Sequence, residues 1–173
     1  LQDAFSRYLL VCQDLPRPRG SFARQVLERV FREYGLPGAI RSDYGPPFAS
    51  VGLGSLSGLA VWWVKLGIIP ERIEPAHPEQ NGRVERFHRT LKAETASPPE
   101  ETRPKQRRVF DSFRHTFNEE RPHEALGQQP PARHYFPSFR SYPARVCSPE
   151  YDAGVTVRRV RTNGQIKWKG DTI

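Results

Sequence analysis

The sequence predicts an α/β fold in which a mixed sheet is flanked by helices, with a small β module at its C-terminal end. Three observations predict it. Short apolar runs of strand type at residues 8–12, 39–42 and 68–73 alternate with longer stretches of helical period. Glycine and proline punctuate the joints between them. From Val155 onward the apolar residues alternate instead, as Val155, Val157 and Val160 and then Ile166 and Trp168, on either side of Asn163-Gly164. Asn-Gly between alternating segments is the strongest short hairpin signal.

Taken in order, Ser6-Arg7 suits a hairpin turn ahead of the first run, and Pro16 to Gly20 reads as a loop. Ser21 caps a helix that reaches Tyr34 and ends at Gly35 and Pro37. Phe22, Val26, Val30 and Tyr34 form its expected buried stripe, while Arg24, Glu28 and Arg32 point away. Residues 39–42 form a strand that delivers Asp43 at its end. Residues 53–66 read as a helix with Leu56, Leu59, Trp63 and Leu66 inward and Gly67 closing it. One ring of the Trp62-Trp63 pair is expected near the surface. Pro70 makes residues 68–73 an edge or interrupted strand. A polar loop, His77-Pro78-Glu79-Gln80-Asn81-Gly82, then runs into a helix that Ser97-Pro98-Pro99 stops. Residues 103–120 form a further helix with Val109, Phe110, Phe113 and Phe117 on one side, and 128–142 a connection rich in proline and aromatics.

A chain of 173 residues is long enough for one sizeable core, or a core with a small appendage. Twenty-seven Lys and Arg against 19 Asp and Glu give a formal charge of +8, which favours a polyanionic partner, most often nucleic acid. No apolar run approaches the length of a membrane span, and no signal-peptide pattern opens the chain. Cys12 and Cys147 build neither a disulfide framework nor a Cys-x-x-Cys zinc site, so a reducing, cytoplasmic setting is expected. There is no methionine, and Leu1 is not a residue from which an initiator is normally removed, so the chain reads as a fragment or a misassigned reading frame.

In the helix after the polar loop, Val84, Phe87 and Leu91 fall on one stripe that can pack on a core. Glu85, His88, Arg89 and Lys92 share a second stripe, turned about 115° from the first. An acid beside three potential cations can hold a metal ion next to a phosphate backbone. The commoner meaning of such a face is a solvated helix laced with i,i+3 and i,i+4 salt bridges. Asp43, at a strand end, is likewise either a metal ligand or an ordinary turn residue. Two carboxylates from different elements suit Mg²⁺, and a pair of such ions can clamp the attacking and leaving oxygens of a phosphodiester. His77, His88, His115, His123 and His134 lack a zinc-ligand set with cysteine, the serines lack a nucleophile elbow, and residues 103–108 read as a solvated helix start.

Several motifs in register carry a resemblance. Ser42-Asp43-Tyr44-Gly45, followed by residues 77–87 ending Gly82-Arg83-Val84-Glu85-Arg86-Phe87, resembles the catalytic core of retroviral-type integrases and of the insertion-sequence DDE transposases that share it. Arg121-Pro122-His123-Glu124-Ala125-Leu126-Gly127, then Pro130-Pro131-Ala132, looks like the element that follows the core in those transposases. Residues 6–10 resemble the family's second-to-third-strand hairpin, and residues 157–170 its small C-terminal β module. The resemblance implies a ribonuclease H-like mixed sheet and metal-dependent transfer of a DNA 3′ end onto a target phosphodiester, with Mg²⁺ or Mn²⁺ held by three acids. Asp43 would be the second acid and Glu85 the third; Glu79 stands nearer the usual spacing from Asp43, but Gly-Arg-Val-Glu and the shared face with Arg89 and Lys92 select Glu85. Gln80, Asn81, Arg83, His88, Arg89 and Lys92, with Arg158, Arg159, Arg161, Lys167 and Lys169 of the basic hairpin, would contact DNA.

Two departures from the pattern shape the expectation for this chain. Tyr44 stands where the family usually has Asn, and the family's first acid lies on a strand ahead of the hairpin with which this sequence opens. Asp3, at the end of the second strand, reads as structural. The expectation is therefore a core truncated at its N-terminus (first strand missing) over residues 1–137, a linker over 138–154 and a partial basic hairpin over 155–173. Such a chain would bind DNA, and form homo-oligomers when intact, yet lack strand transfer for want of the first acid. The alternative is a non-catalytic DNA-binding or inhibitory fragment of a decayed transposable element. Neutralising Arg158, Arg159 and Arg161 should flatten the log-log salt dependence of DNA binding by roughly two to three units, and an unchanged slope would remove the ribbon from the interface.

Overall fold

The computed structural model describes residues 1–15, 17, 19–42, 45, 47–48, 57–72, 78–147, 150–158, 165–168 and 171–172, with only the backbone at 72, 78–81, 83, 168 and 171–172. The chain divides into two compact units, Leu1–Pro37 with Ile73–Tyr142, and Gly38–Arg72 with Pro143–Ile173. In chain order the elements are α1 (Gly20–Tyr34), β1 (Ala39–Ser42), α2 (Gly58–Lys65), β2 (Ile69–Arg72), α3 (Pro78–Thr95), α4 (Arg103–Glu119), two 3₁₀ turns (Glu124–Leu126 and Pro131–Arg133), β3 (Lys167–Trp168) and β4 (Asp171–Thr172).

The first unit opens with a tight reversal. The Asp3 carboxylate accepts from the Ser6 amide at 2.7 Å and the Ser6 hydroxyl at 2.6 Å, and Arg7 takes a left-handed φ of 66°. Asp3 is thus a turn cap, the structural role its position suggested. The strand expected over 8–12 is reduced to one antiparallel bridge, Gln2↔Leu9. Along its other edge lies Asn118 of α4, which is 2 % exposed. Its Oδ1 accepts from the Leu9 amide at 2.7 Å, and its Nδ2 donates to the Leu9 carbonyl at 3.1 Å. A side-chain amide takes the place of a neighbouring strand and satisfies both buried peptide groups.

α1 buries Ala23, Leu27, Val30 and Phe31, a stripe shifted by about a residue from the expected one. Phe22, Val26 and Tyr34 are half-buried, and Tyr34 sits edge-on to Tyr8 and Tyr135 at 6.3 and 6.0 Å. Ser21 lies inside the helix, whose cap is Arg19 with no side-chain bond. Gly35 ends it with φ 81° and returns its amide to the Phe31 carbonyl. A Cβ at Gly35 would stand 2.5 Å from the Ser138 carbonyl oxygen, so glycine is required there twice over.

α3 and α4 pack through aromatics: Phe87 lies 6.3 Å from Phe113 and 5.5 Å from Phe117, the latter pair edge-to-face. Leu9, Phe113 and Phe117 form a buried cluster with Cys12, Phe87 and Leu91 against it. Gln106 fastens the α3–α4 connection, donating to the Thr95 carbonyl at 2.6 Å and accepting from the Glu100 amide at 2.8 Å. α4 begins with Thr102 as its cap and Pro104 in its first turn.

In the second unit β1 and β2 pair in parallel, Ala39 opposite Ile69 through Ser42 opposite Arg72. Arg41 donates to the Glu71 carboxylate across the pair at 3.0 Å. Ser57 caps α2 by accepting from the Ala60 amide, so the described helix begins at Gly58; residues 53–56 of the expected span, Leu56 among them, lie outside the described residues. Trp62 and Trp63 are both buried, at 4 % and 1 %, which corrects the expectation of one surface ring. β3 and β4 pair antiparallel, Lys167 with Thr172 and Trp168 with Asp171. The expected turn, Asn163-Gly164, lies outside the described residues, as do Lys169 and Gly170. Val155 and Val157 belong to no strand and are exposed. The described sheets are thus two pairs, a smaller β content than the full mixed sheet expected.

Asn118→Ala strands the Leu9 amide and carbonyl, and should cost about 2–4 kcal/mol in denaturant unfolding, with Asn118→Leu giving no rescue. A cost below about 0.5 kcal/mol would mean that those groups find other partners.

Candidate functional site

The face of α3 that carries the candidate residues is set by what the helix buries. Phe87 and Leu91 pack on the Leu9–Phe113–Phe117 cluster, and Thr95, one further turn along, is buried with its hydroxyl donating to the Leu91 carbonyl at 2.6 Å. That i, i+4, i+8 stripe fixes the helix rotation. Val84, expected to extend it, is 43 % exposed, because the apolar contact begins only at Phe87. Glu85, His88, Arg89 and Lys92 are all exposed, so the structure brings these four together on one open face.

The helix begins at Pro78, so Glu79, Gln80 and Asn81 lie in its first turn and not in a loop ahead of it. Proline suits this place, since its missing N–H would have no partner there in any case. The side chains of Gln80, Asn81 and Arg83 are not among those described, and His77, Asp43, Arg159, Arg161 and Lys169 lie outside the described residues altogether. Arg158 and Lys167 are both exposed, Lys167 opposite Thr172 in the β3–β4 pair. Among the described residues no three His, Cys, Asp or Glu side chains are grouped to hold a metal ion. On α3, Glu85 offers one carboxylate to a cation that prefers several.

Behind the open face, the far end of α3 is locked by a residue for which the sequence offered no separate role. Arg121 pairs with Glu94 and lies over Phe113 and Phe117, 5.6 and 5.9 Å from the ring centroids. His123, two residues on, is edge-on to Phe117 at 4.7 Å. Burial, and then the positive Arg121, hold its pKa below the ordinary histidine value. Arg121-Pro122-His123 is therefore a clamp between the ends of α3 and α4, and Asn118 its companion at the hairpin. Asn118 carried no legible signal in the sequence, whereas Arg121 and His123 stood out only as part of a motif.

A second concavity, about 210 Å³, is lined by residues including Cys12, Gln13, Arg29, Asp111 and Arg114. Two of its guanidinium groups are engaged within the unit: Arg29 donates to Gln13, and Arg114 donates to the Leu10 carbonyl and the Tyr34 hydroxyl. Burial raises the Cys12 thiol pKa, which keeps it protonated and unreactive. No helix among the described residues is long and apolar enough to cross a membrane.

Residues 66–131 match the integrase core domain family. The chain is 31 % identical over 114 residues to an uncharacterized protein of insertion element IS407 from Burkholderia multivorans, covering 65 % of this chain and 39 % of that protein. It is 31 % identical over 115 residues to one of insertion element IS476 from Xanthomonas euvesicatoria, covering 66 % and 32 %. It is also 33 % identical over 92 residues to the Pol polyprotein of Feline endogenous virus ECE1, covering 52 % and 8 %. The chain thus spans less than half the length of these relatives. Among solved structures, the catalytic core domain of BIV integrase matches with a TM-score of 0.53 at 23 % identity, over 71 % of this chain and 74 % of that one. The simian T-cell lymphotropic virus intasome in complex with PP2A regulatory subunit B56 gamma matches with a TM-score of 0.62 at 21 % identity, over 90 % and 52 %. Both likenesses place the fold among integrase catalytic cores.

A clamp of this kind is open to titration. The His123 ring should titrate by NMR with a midpoint below about 6.5, and Arg121→Gln should raise it by removing a neighbouring cation.

Proposed function

The chain carries an integrase-type core, and from that premise we propose that it serves metal-dependent DNA strand transfer, as part of DNA integration or transposition. The observation that carries this reading is the open face of α3, where Glu85 stands with His88, Arg89 and Lys92 over a buried Phe87–Leu91 stripe. A solvated helix can carry such a face too, but the integrase-core match over residues 66–131 includes it, and its cations suit a DNA backbone.

Glu85 and Asp43 are the proposed carboxylate ligands of Mg²⁺ or Mn²⁺; a bound ion of this kind would activate a 3′ hydroxyl and stabilise the leaving oxygen. Arg89 and Lys92 lie one and two turns beyond Glu85, a spacing suited to successive phosphates. Gln80, Asn81, Arg83 and His88 would contact the DNA near the scissile bond. Arg158, Arg159, Arg161, Lys167 and Lys169 would add contacts of the positioning kind, which carry affinity and salt dependence but not sequence. Two DNA ends joined to one target call for more than one copy, so a homo-oligomer on DNA belongs to the same proposal. Residues through Tyr142 would belong to the catalytic core, not the core ending at 137, with 155–173 as an accessory basic module and 143–154 between them.

A strand-transfer assay with Mg²⁺ or Mn²⁺, on this chain and on a version extended to the length of its relatives, tests the reading. In the extended version Glu85→Gln and Asp43→Asn should each lower activity by on the order of 100-fold or more while leaving DNA affinity within a few-fold. Activity that survives Glu85→Gln would sink the site assignment. DNA binding without activity in either length favours the non-catalytic, inhibitory alternative.

A further inference from the structure

The segment after the second 3₁₀ turn holds two phenyl rings that the described fold does not pack. Tyr135 turns inward, stacked on Tyr8 with ring centroids 4.3 Å apart. Its neighbours do the opposite: Phe136 is 81 % exposed and Phe139 fully so. Exposed phenylalanine is not unusual singly, but here the backbone between the two rings is fastened. The Ser138 amide donates to the Tyr34 carbonyl at 2.9 Å, and its hydroxyl to the Leu36 carbonyl at 2.6 Å. The Arg140 carbonyl accepts from the Leu36 amide at 2.6 Å, and its guanidinium donates to the Pro37 carbonyl at 2.9 Å. Tyr142 lies under the Arg32 guanidinium at 4.6 Å, closing the strap. The fold therefore holds two large apolar side chains in water on a fixed support, with no return in packing.

The charge along this stretch says what would cover them. From residue 125 to the end of this unit at Tyr142 the sequence has no Asp or Glu, while Arg133 and Arg140 fall within it. Arg133 is exposed and directly precedes the aromatic run by two residues. Aromatic faces interleaved with arginine and free of carboxylates match unpaired nucleotides, whose bases stack on the rings while phosphates meet the cations. A polyanion gains most from the absence of acids, and of the polyanions only an unpaired strand also offers flat faces to the rings. Bases within a duplex keep their faces covered, so the surface discriminates by strand state.

We infer that Phe136 and Phe139 form a stacking platform for unpaired DNA bases, such as frayed ends or a displaced strand, an inference that rests on the DNA reading above. The held backbone lowers the ordering cost of engagement, since only the rings and the bases need settle. No phosphate contact depends on the rings themselves, so the platform contributes affinity that salt does not screen.

Fluorescence anisotropy with a labelled single-stranded oligo-dT of about 20 nucleotides, and with a hairpin duplex, tests this on the whole chain. The double variant Phe136→Ala, Phe139→Ala should weaken single-strand binding by roughly tenfold or more, with duplex binding and the salt slope unchanged. Phe139→Trp should retain or tighten it, and 5-iodouracil in the oligonucleotide should cross-link at position 136 or 139. Both rings are exposed, so circular dichroism should show the variants folded. Single-strand binding equal to the parent's overturns the platform, as does a double variant that loses self-association in sedimentation instead, which would make this a contact between copies. Loss of strand transfer in Glu85→Gln alongside unaltered single-strand binding in the phenylalanine variants would remove the platform alone. Failure of the parent chain to bind any DNA would remove the DNA reading itself.

Discussion

A buried amide holds the first unit together. Asn118 projects from α4 into the opening reversal and meets both peptide groups of Leu9. A hydrophobic residue there would fill the same volume but leave two buried polar groups without partners, the most costly arrangement a core can contain. Because Leu9 also anchors the cluster on which Phe87 and Leu91 rest, the amide sets the floor beneath α3. The rotation of α3, and so the direction of Glu85, depends on a bond made on the opposite side of the core.

The same helix divides its labour along its length. Its first turn begins at a proline, which fixes the backbone without asking for a hydrogen-bond partner. Its middle is amphipathic, with aromatic packing below and charge above. Its end is secured by Glu94 against Arg121, itself laid over two phenyl rings. Exposed ion pairs contribute little in general, but this one joins a guanidinium whose flat faces are covered by aromatics, which limits the freedom it must give up. Stability sits at the buried stripe and the far end, which leaves the upper face exposed to solvent.

Much of this arrangement was legible in the residues, and the failures have physical causes. The alternation of short apolar runs with helical periods located α1, β1, β2, α3 and α4, because those periods follow from backbone geometry alone. The stripe of α1 came out one residue off, since Ala23 and Leu27 compete with Phe22 and Val26 and only the packing partner decides between them. Val84 and Trp62 were misplaced for the same reason: a period assigns a face but not where a neighbour begins or ends. The run at 8–12 is bonded by residues 1–3 on one edge, and on the other a side chain stands where a second strand was expected, a long-range event with no local signature. The accessible face of Glu85, His88, Arg89 and Lys92 follows from helical spacing and was readable at once. The clamp role of Arg121 was not, because it depends on two rings from a different element.

Gly35 carries one more consequence, for where the chain can be cut. Its left-handed turn places the end of α1 directly against Ser138, close enough that even a methyl group would collide. The last carbonyls of α1 and of the residues after it are answered from residues 138–140, about a hundred positions later in the sequence. The stretch that looks like the beginning of a tether is thus the outermost course of the first unit's wall. A boundary drawn at residue 137 would leave the α1 end facing water with its acceptors open, and the smallest piece of this chain that keeps that wall intact runs through Tyr142.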